Sequence, residues 1–224
     1  MSYKRNQIEE AIARIVDPNC QEPSSELRTR IKRLLELDRS IGRKLRSRDA
    51  GEANFAFFSE EAPGTGADVS FSEYEVFALL NALRIRAHRW PQGSAVSIMR
   101  HVRVDLEREH ARILRQDPDK LFDWQAIRAK AQPGDIGVDN TDPVYLAVAS
   151  KAQQSPDEAQ RALLSAVCRG SENVFKFRNH VGASNVTMFE VTTFAHQLHA
   201  ELTKTAPSRR GRGPHFRRLE RRSG

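Results

Sequence analysis

LRTRIKRLLELDRSIGRKLRSR, residues 27–48, is the stretch on which the reading of this chain turns. Leu27, Ile31, Leu34 and Leu35 fall on one helical stripe, continued by Ile41 and Leu45 if Gly42 lets the helix run on. The opposite face carries Arg28, Lys32, Arg33, Arg39 and Arg43, and over the stretch nine basic residues stand against two acidic ones. Ser24 or Ser25 caps the start. A helix with so one-sided a polar face either solvates itself or meets a polyanion.

Upstream, Ile8, Ala11, Ile12 and Ile15 mark one face of a helix over residues 5–16, stopped by Asp17-Pro18. Downstream, FAFFS at 55–59 and DVSF at 68–71 flank EEAPGTGA, whose Pro and Gly suit a turn, so a β-hairpin is expected over 55–71. Ser72 and Glu75 form a capping box and Phe71 faces Val76 as a hydrophobic staple, opening a helix to about Arg89. Trp90-Pro91-Gln92-Gly93 turns the chain into AVSIMRHV, then DLEREHARILRQ, then KLFDWQAIRAKA, all helical in pattern and closed by Pro133-Gly134.

Residues 133–143, PGDIGVDNTDP, read as a linker between a domain over 1–132 and a small α+β domain over 144–205. In the second, VYLAVAS at 144–150 is a strand. SPDE at 155–158 is a capping box opening a helix to about Val167, and NVFKFR at 173–178 alternates like a strand. Thr187 and Glu190 form one more capping box, before a helix with Val191, Phe194, Ala195, Leu198 and Leu202 on one face. The fold class expected is mostly α with small β elements, the C-terminal part a β-α-β-α unit.

Charge separates body from tail. The net charge is +7, and residues 206–224 hold seven Arg against Glu220, so the body is close to neutral. APSRRGRGPHFRRLERRSG is poor in apolar residues and is expected to stay disordered until it meets a partner. No apolar run approaches 18 residues, and the N-terminus lacks an unbroken apolar core with a cleavage site. Cys20 and Cys168 stand far apart with no C-x-x-C partner, so neither a disulfide framework nor a zinc ribbon is expected. These features point to a reducing cytoplasm rather than a membrane or secretion.

A helix, a basic helix, a hairpin and a capped helix in that order suit a winged-helix module, in which the basic helix enters the major groove and the hairpin touches flanking phosphates. The segment FSEYEVFALLNALRIRAHRWPQGSAVSIM, through Phe71, Ser72, Leu79, Arg84, Arg89, Trp90 and Ile98, resembles the stretch after the wing in MerR-type regulators. Arg89 stands where that family usually has Gly, and the loop between the first two helices is longer than in its compact helix-turn-helix. The resemblance implies a homodimeric DNA-binding transcriptional regulator. SRRGRGP, with Arg209, Arg210 and Arg212, resembles an AT-hook, with Gly213 inserted between Arg212 and Pro214.

The residues expected to contact duplex DNA are Arg28, Arg30, Lys32, Arg33, Arg39, Arg43 and Lys44 in the helix region and Arg209, Arg210, Arg212, Arg217 and Arg218 in the tail. His196 and His199 share one side of the last helix, with Cys168 and His180 near in sequence, but two ligands at helical spacing make no zinc site. Asp135, Asp139 and Asp142 lack the spacing of a calcium loop. No nucleophile elbow, P-loop, dinucleotide fingerprint or H-E-x-x-H occurs, so neither an enzyme nor a cofactor is expected. An adaptor whose basic surface binds an acidic protein and an RNA-binding protein are the alternatives.

Overall fold

Residues 73–87 form a helix buried from Tyr74 through Leu83 and again at Ile85, and helices 25–41, 92–101 and 192–204 and strands 70–72 and 185–190 pack against it. A helix apolar all round has no solvent face and belongs at the centre. The computed structural model describes residues 2–19, 22–59, 69–130, 139–150 and 163–205. In chain order these form β1 (Ser2–Lys4), α1 (Arg5–Val16), α2 (Ser25–Ile41), α3 (Ala50–Ala53), β2 (Ser70–Ser72), α4 (Glu73–Ala87), α5 (Gln92–His101) and α6 (Arg103–Ile113). There follow α7 (Pro118–Leu121), α8 (Trp124–Lys130), β3 (Val144–Ser150), β4 (Leu163–Arg169), α9 (Gly170–His180), β5 (Asn185–Glu190) and α10 (Thr192–Lys204). The protein is mostly helical with small antiparallel sheets, an α+β fold. No helix among the described residues is long and apolar enough to cross a membrane.

The stripes expected from the sequence are the buried ones. Ile8, Ala11 and Ile12 of α1, and Ile31, Leu34 and Leu35 of α2, are at most 4% exposed. Ser24 caps α2, accepting from the Leu27 N–H, and the Ser72–Glu75 capping box opens α4 with both bonds formed. Gly42, at φ 67°, ends α2, so Ile41 and Leu45 leave the stripe and lie exposed. The left-handed backbone there is one that glycine adopts without a Cβ clash. KLFDWQAIRAKA divides into α7 and α8, because the Asp123 carboxylate accepts from the N–H groups of Gln125 and Ala126 and starts a fresh turn.

The expected hairpin is not formed as read. β2 pairs with β1, Phe71 opposite Tyr3, and not with 55–59. Phe55, Ala56, Phe57 and Phe58 are all buried in irregular backbone, and residues 60–68 between the two halves lie outside the described residues. A run apolar at every position is buried on both faces, and here side chains satisfy its backbone instead of a partner strand. The Asp38 carboxylate accepts from the N–H groups of Ala56 and Phe57 at 2.9–3.1 Å, and Arg103 donates to the carbonyls of Phe55 and Ala56.

The C-terminal elements form a three-stranded antiparallel sheet in the order β4-β3-β5. VYLAVAS is its central strand. Three expectations around it are corrected. Residues 163–169 are strand β4 rather than the end of a helix to Val167, since they pair along the whole of β3; the 155–158 capping box lies outside the described residues. NVFKFR is inside helix α9, where Val174 and Phe177, three apart, pack on the sheet. Thr187 lies within β5, and Glu190 caps forward, accepting from the N–H groups of Thr192 and Thr193 at 2.7 and 3.1 Å. Alternation along β3 sends Val144, Leu146 and Val148 into the main core and Tyr145 and Ala147 toward α9. The main core is continuous from Ile8 of α1 to Leu202 of α10.

Candidate nucleic-acid interface

The basic residues of α2 follow from its phase. With Ile31, Leu34, Leu35 and Asp38 turned inward, Arg28, Arg30, Lys32 and Arg33 are all exposed. Arg28 and Lys32 lie one turn apart along one border, and Arg30 and Arg33 lie one turn apart further round. Each of the first three has a light tether. Arg30 pairs with Glu26, Lys32 with Glu36 at 3.6 Å, and Arg28 with Glu9 at 3.8 Å. Exposed pairs of this kind hold little energy, so the cations are free to change partner. The Arg33 carbonyl accepts from Gln92 Nε2 at 2.9 Å, which ties α2 to the start of α5.

Beyond Arg33 the basic residues divide. Arg39 and Arg43 are half-buried and lie over phenylalanine rings, Arg39 at 5.8 Å from Phe58 and Arg43 at 5.4 Å from Phe55. Their Nε atoms are buried without a hydrogen-bond partner among the described residues. These two guanidinium groups brace the FAFF segment more than they face solvent. Lys44 is exposed and donates to Glu52 at 2.8 Å. Arg209, Arg210, Arg212, Arg217 and Arg218 lie outside the described residues.

Sequence reasoning missed the group that sets this geometry. Asp38 sits on the apolar stripe of α2, 0% exposed, and receives Arg100 Nε at 2.6 Å. Arg100 also donates from Nη2 to the Asp38 carbonyl at 2.6 Å and from Nη1 to the Gly42 carbonyl at 2.7 Å. One buried guanidinium thus holds the end of α2 and the start of the loop after it. The signal was present: Asp38 continues the 31, 34, 35 stripe, where a lone carboxylate needs a buried partner.

Several titratable groups away from α2 serve the packing of the fold. His110 is buried, stacks on Phe77 at 4.5 Å, and is pushed down to about 4 by burial and by the neighbouring His199 and His196. His196 packs edge-on against Phe122, and His199 Nδ1 lies 2.7 Å from Glu73, so the two histidines face different partners. No cluster of three His, Cys, Asp or Glu suited to a metal occurs among the described residues. Asp142 is bound by Arg112 at 2.6 Å and Gln116 at 2.7 Å, a structural use. Glu109 receives Arg169 through two bonds, at 2.6 and 2.9 Å, and joins α6 to the end of β4; Arg169 is the main reason its carboxyl lies below the usual range. Burial lowers Arg84 to about 10; it lies 3.6 Å over the Phe194 ring and donates to the Glu190 carbonyl at 2.6 Å.

The fold and these placements define an α+β protein with a basic helix face beside a buried Asp–Arg clamp. No model of a known protein family and no curated protein matches the chain.

Proposed function

We propose that this protein binds duplex DNA through the solvent face of α2 and the basic loop that follows, as a transcriptional regulator does, with the Arg-rich segment 206–224 as a second contact. One observation carries the reading. Of the two acidic residues in 27–48, Asp38 is withdrawn into its pair with Arg100, so within that stretch Glu36 is the one surface acid against Arg28, Arg30, Lys32, Arg33, Lys44, Arg46 and Arg48, while Glu9, Glu26 and Glu52 from outside it pair with Arg28, Arg30 and Lys44. A predominantly basic surface on a helix neutralises phosphates and releases counterions, whatever the base sequence. Because 55–59 is not a strand, the flanking contact is assigned to the 42–48 loop rather than to a wing.

The test is a fluorescence-anisotropy titration of the full chain against duplex DNA, single-stranded DNA and RNA at several salt concentrations. Duplex DNA binds most tightly, and affinity falls steeply with salt. Absence of binding to any nucleic acid at low salt overturns the proposal in favour of an acidic protein partner, and tighter binding to RNA overturns it in favour of RNA.

A further inference from the structure

The chain leaving α2 folds back on itself around an open concavity of about 530 Å³, lined by Arg43, Lys44, Leu45, Arg46, Ser47 and Glu52. The lining holds three cations, a hydroxyl and one carboxylate. Lys44 Nζ donates to Glu52 Oε1 at 2.8 Å and Ser47 Oγ donates to Glu52 Oε2 at 2.9 Å. Those two bonds hold the Glu52 carboxyl below its ordinary range, so it is an anion throughout the neutral range. Asp49, the nearest other acid in sequence, is turned to its own backbone, accepting from the Gly51 N–H at 2.6 Å.

The frame of the concavity is held in place. Arg100 Nη1 donates to the carbonyls of Gly42 at 2.7 Å and Gly51 at 3.4 Å, fastening the loop near both ends. Across the loop the Lys44 N–H donates to the Glu52 carbonyl at 2.8 Å, and the Ser47 N–H to the Lys44 carbonyl at 2.9 Å. The Arg43 guanidinium is pinned over Phe55. A loop backbone held in this way loses little freedom when it takes a ligand.

The carboxylate engages the ammonium and the hydroxyl but leaves the lining with an excess of positive charge, which a terminal phosphate group, with more charge and three acceptor oxygens, answers better, whereas a backbone phosphodiester brings only a carboxylate's single charge. We propose that this concavity is a phosphate seat that Glu52 occupies as an internal stand-in, and that an incoming phosphate displaces it from Lys44 and Ser47. As an anchor for a backbone phosphate the seat rests on the DNA-binding reading; as a site for a free phosphorylated molecule it does not.

The test titrates the isotope-labelled full chain with inorganic phosphate and with pyrophosphate, following the backbone amides of residues 42–52 by NMR and the affinity by calorimetry. Saturable shifts at Lys44, Ser47 and Glu52 are expected. Glu52→Gln should tighten binding by ~10-fold, about what removing one competing charge-assisted contact yields, and Lys44→Ala with Arg46→Ala should abolish the shifts with the tail arginines intact. Shifts confined to 206–224, or an unchanged affinity in Glu52→Gln, overturn the seat. Duplex DNA added to the pyrophosphate complex distinguishes the sources: displacement identifies a backbone phosphate, and retention identifies a free phosphorylated ligand. Should pyrophosphate fail while duplex DNA binds, the seat is refuted and the DNA reading stands. Should pyrophosphate seat while no duplex binds, the DNA reading falls alone.

Discussion

Asp38 and Arg100, 62 residues apart in sequence, meet at 2.6 Å with 0% and 2% of their side chains exposed. The pair is fully furnished. Asp38 also accepts from the N–H groups of Ala56 and Phe57, and Arg100 also donates to the carbonyls of Asp38 and Gly42. The contact therefore joins α2, α5, the buried FAFF segment and the basic loop in one hydrogen-bonded unit. Asp38→Ala would leave a buried guanidinium and two buried N–H groups without their acceptor, and should cost about 3–5 kcal/mol in urea unfolding.

α2 offers a test in which two faces of one helix give opposite results. Leu34→Ala, at a site 1% exposed, should cost roughly 2–5 kcal/mol by leaving a cavity against the core. Charge reversal of Arg28, Lys32 and Arg33 to Glu should change stability by no more than about 0.5 kcal/mol each. The same triple reversal should abolish duplex DNA binding in the anisotropy titration. Retained binding would remove α2 from the interface.

The tail makes a separate contribution. A chain ending at Thr205 should bind duplex DNA with a log–log salt slope shallower by roughly 2–5, since each neutralised phosphate contributes about 0.9. Its urea unfolding should be unchanged. An unaltered slope in the shortened chain would mean that the seven arginines beyond residue 205 make no phosphate contact.

His110 makes stability depend on pH. Its folded value of about 4 lies below the ordinary 6.5, so folding favours the neutral ring. Above 6.5 both states are neutral and the site is neutral to stability; as pH falls below 6.5 the unfolded chain takes up the proton first, and stability is lost down to about 4. Between pH 7 and pH 5 the loss should be roughly 2 kcal/mol by urea unfolding. His110→Phe, keeping an aromatic ring over Phe77, should flatten that interval. A wild-type curve already flat from pH 7 to 5 would contradict the assignment.

Much of the fold was legible wherever one segment had to bury one face. The stripes of α1 and α2, the Ser72–Glu75 capping box, the central strand VYLAVAS and the apolar face of α10 all follow from period and local hydrogen bonding. The exposure of Arg28, Arg30, Lys32 and Arg33 was legible for the same reason, because fixing the apolar stripe of a helix fixes its opposite side. The places where the reading failed share a cause. FAFFS, LLSAVCR and NVFKFR are short runs whose period does not separate strand from helix or buried loop.

What the sequence determined by itself is the set of elements stabilised from within: amphipathic helices and their caps. What only the tertiary structure decided is everything that needs a distant partner. LLSAVCR is a strand because β3 lies beside it, and FAFFS is a loop because Asp38 and Arg103 supply the hydrogen bonds a neighbouring strand would have supplied. Residues 70–72 pair with residues 2–4 rather than with 55–59. The surface charge of α2 belongs to the same class, since one of its three carboxylates is hidden by an arginine 62 residues away. A helix's own hydrogen bonds close within four residues, whereas a strand, a buried loop or a buried charge is stable only beside whatever the fold brings to it.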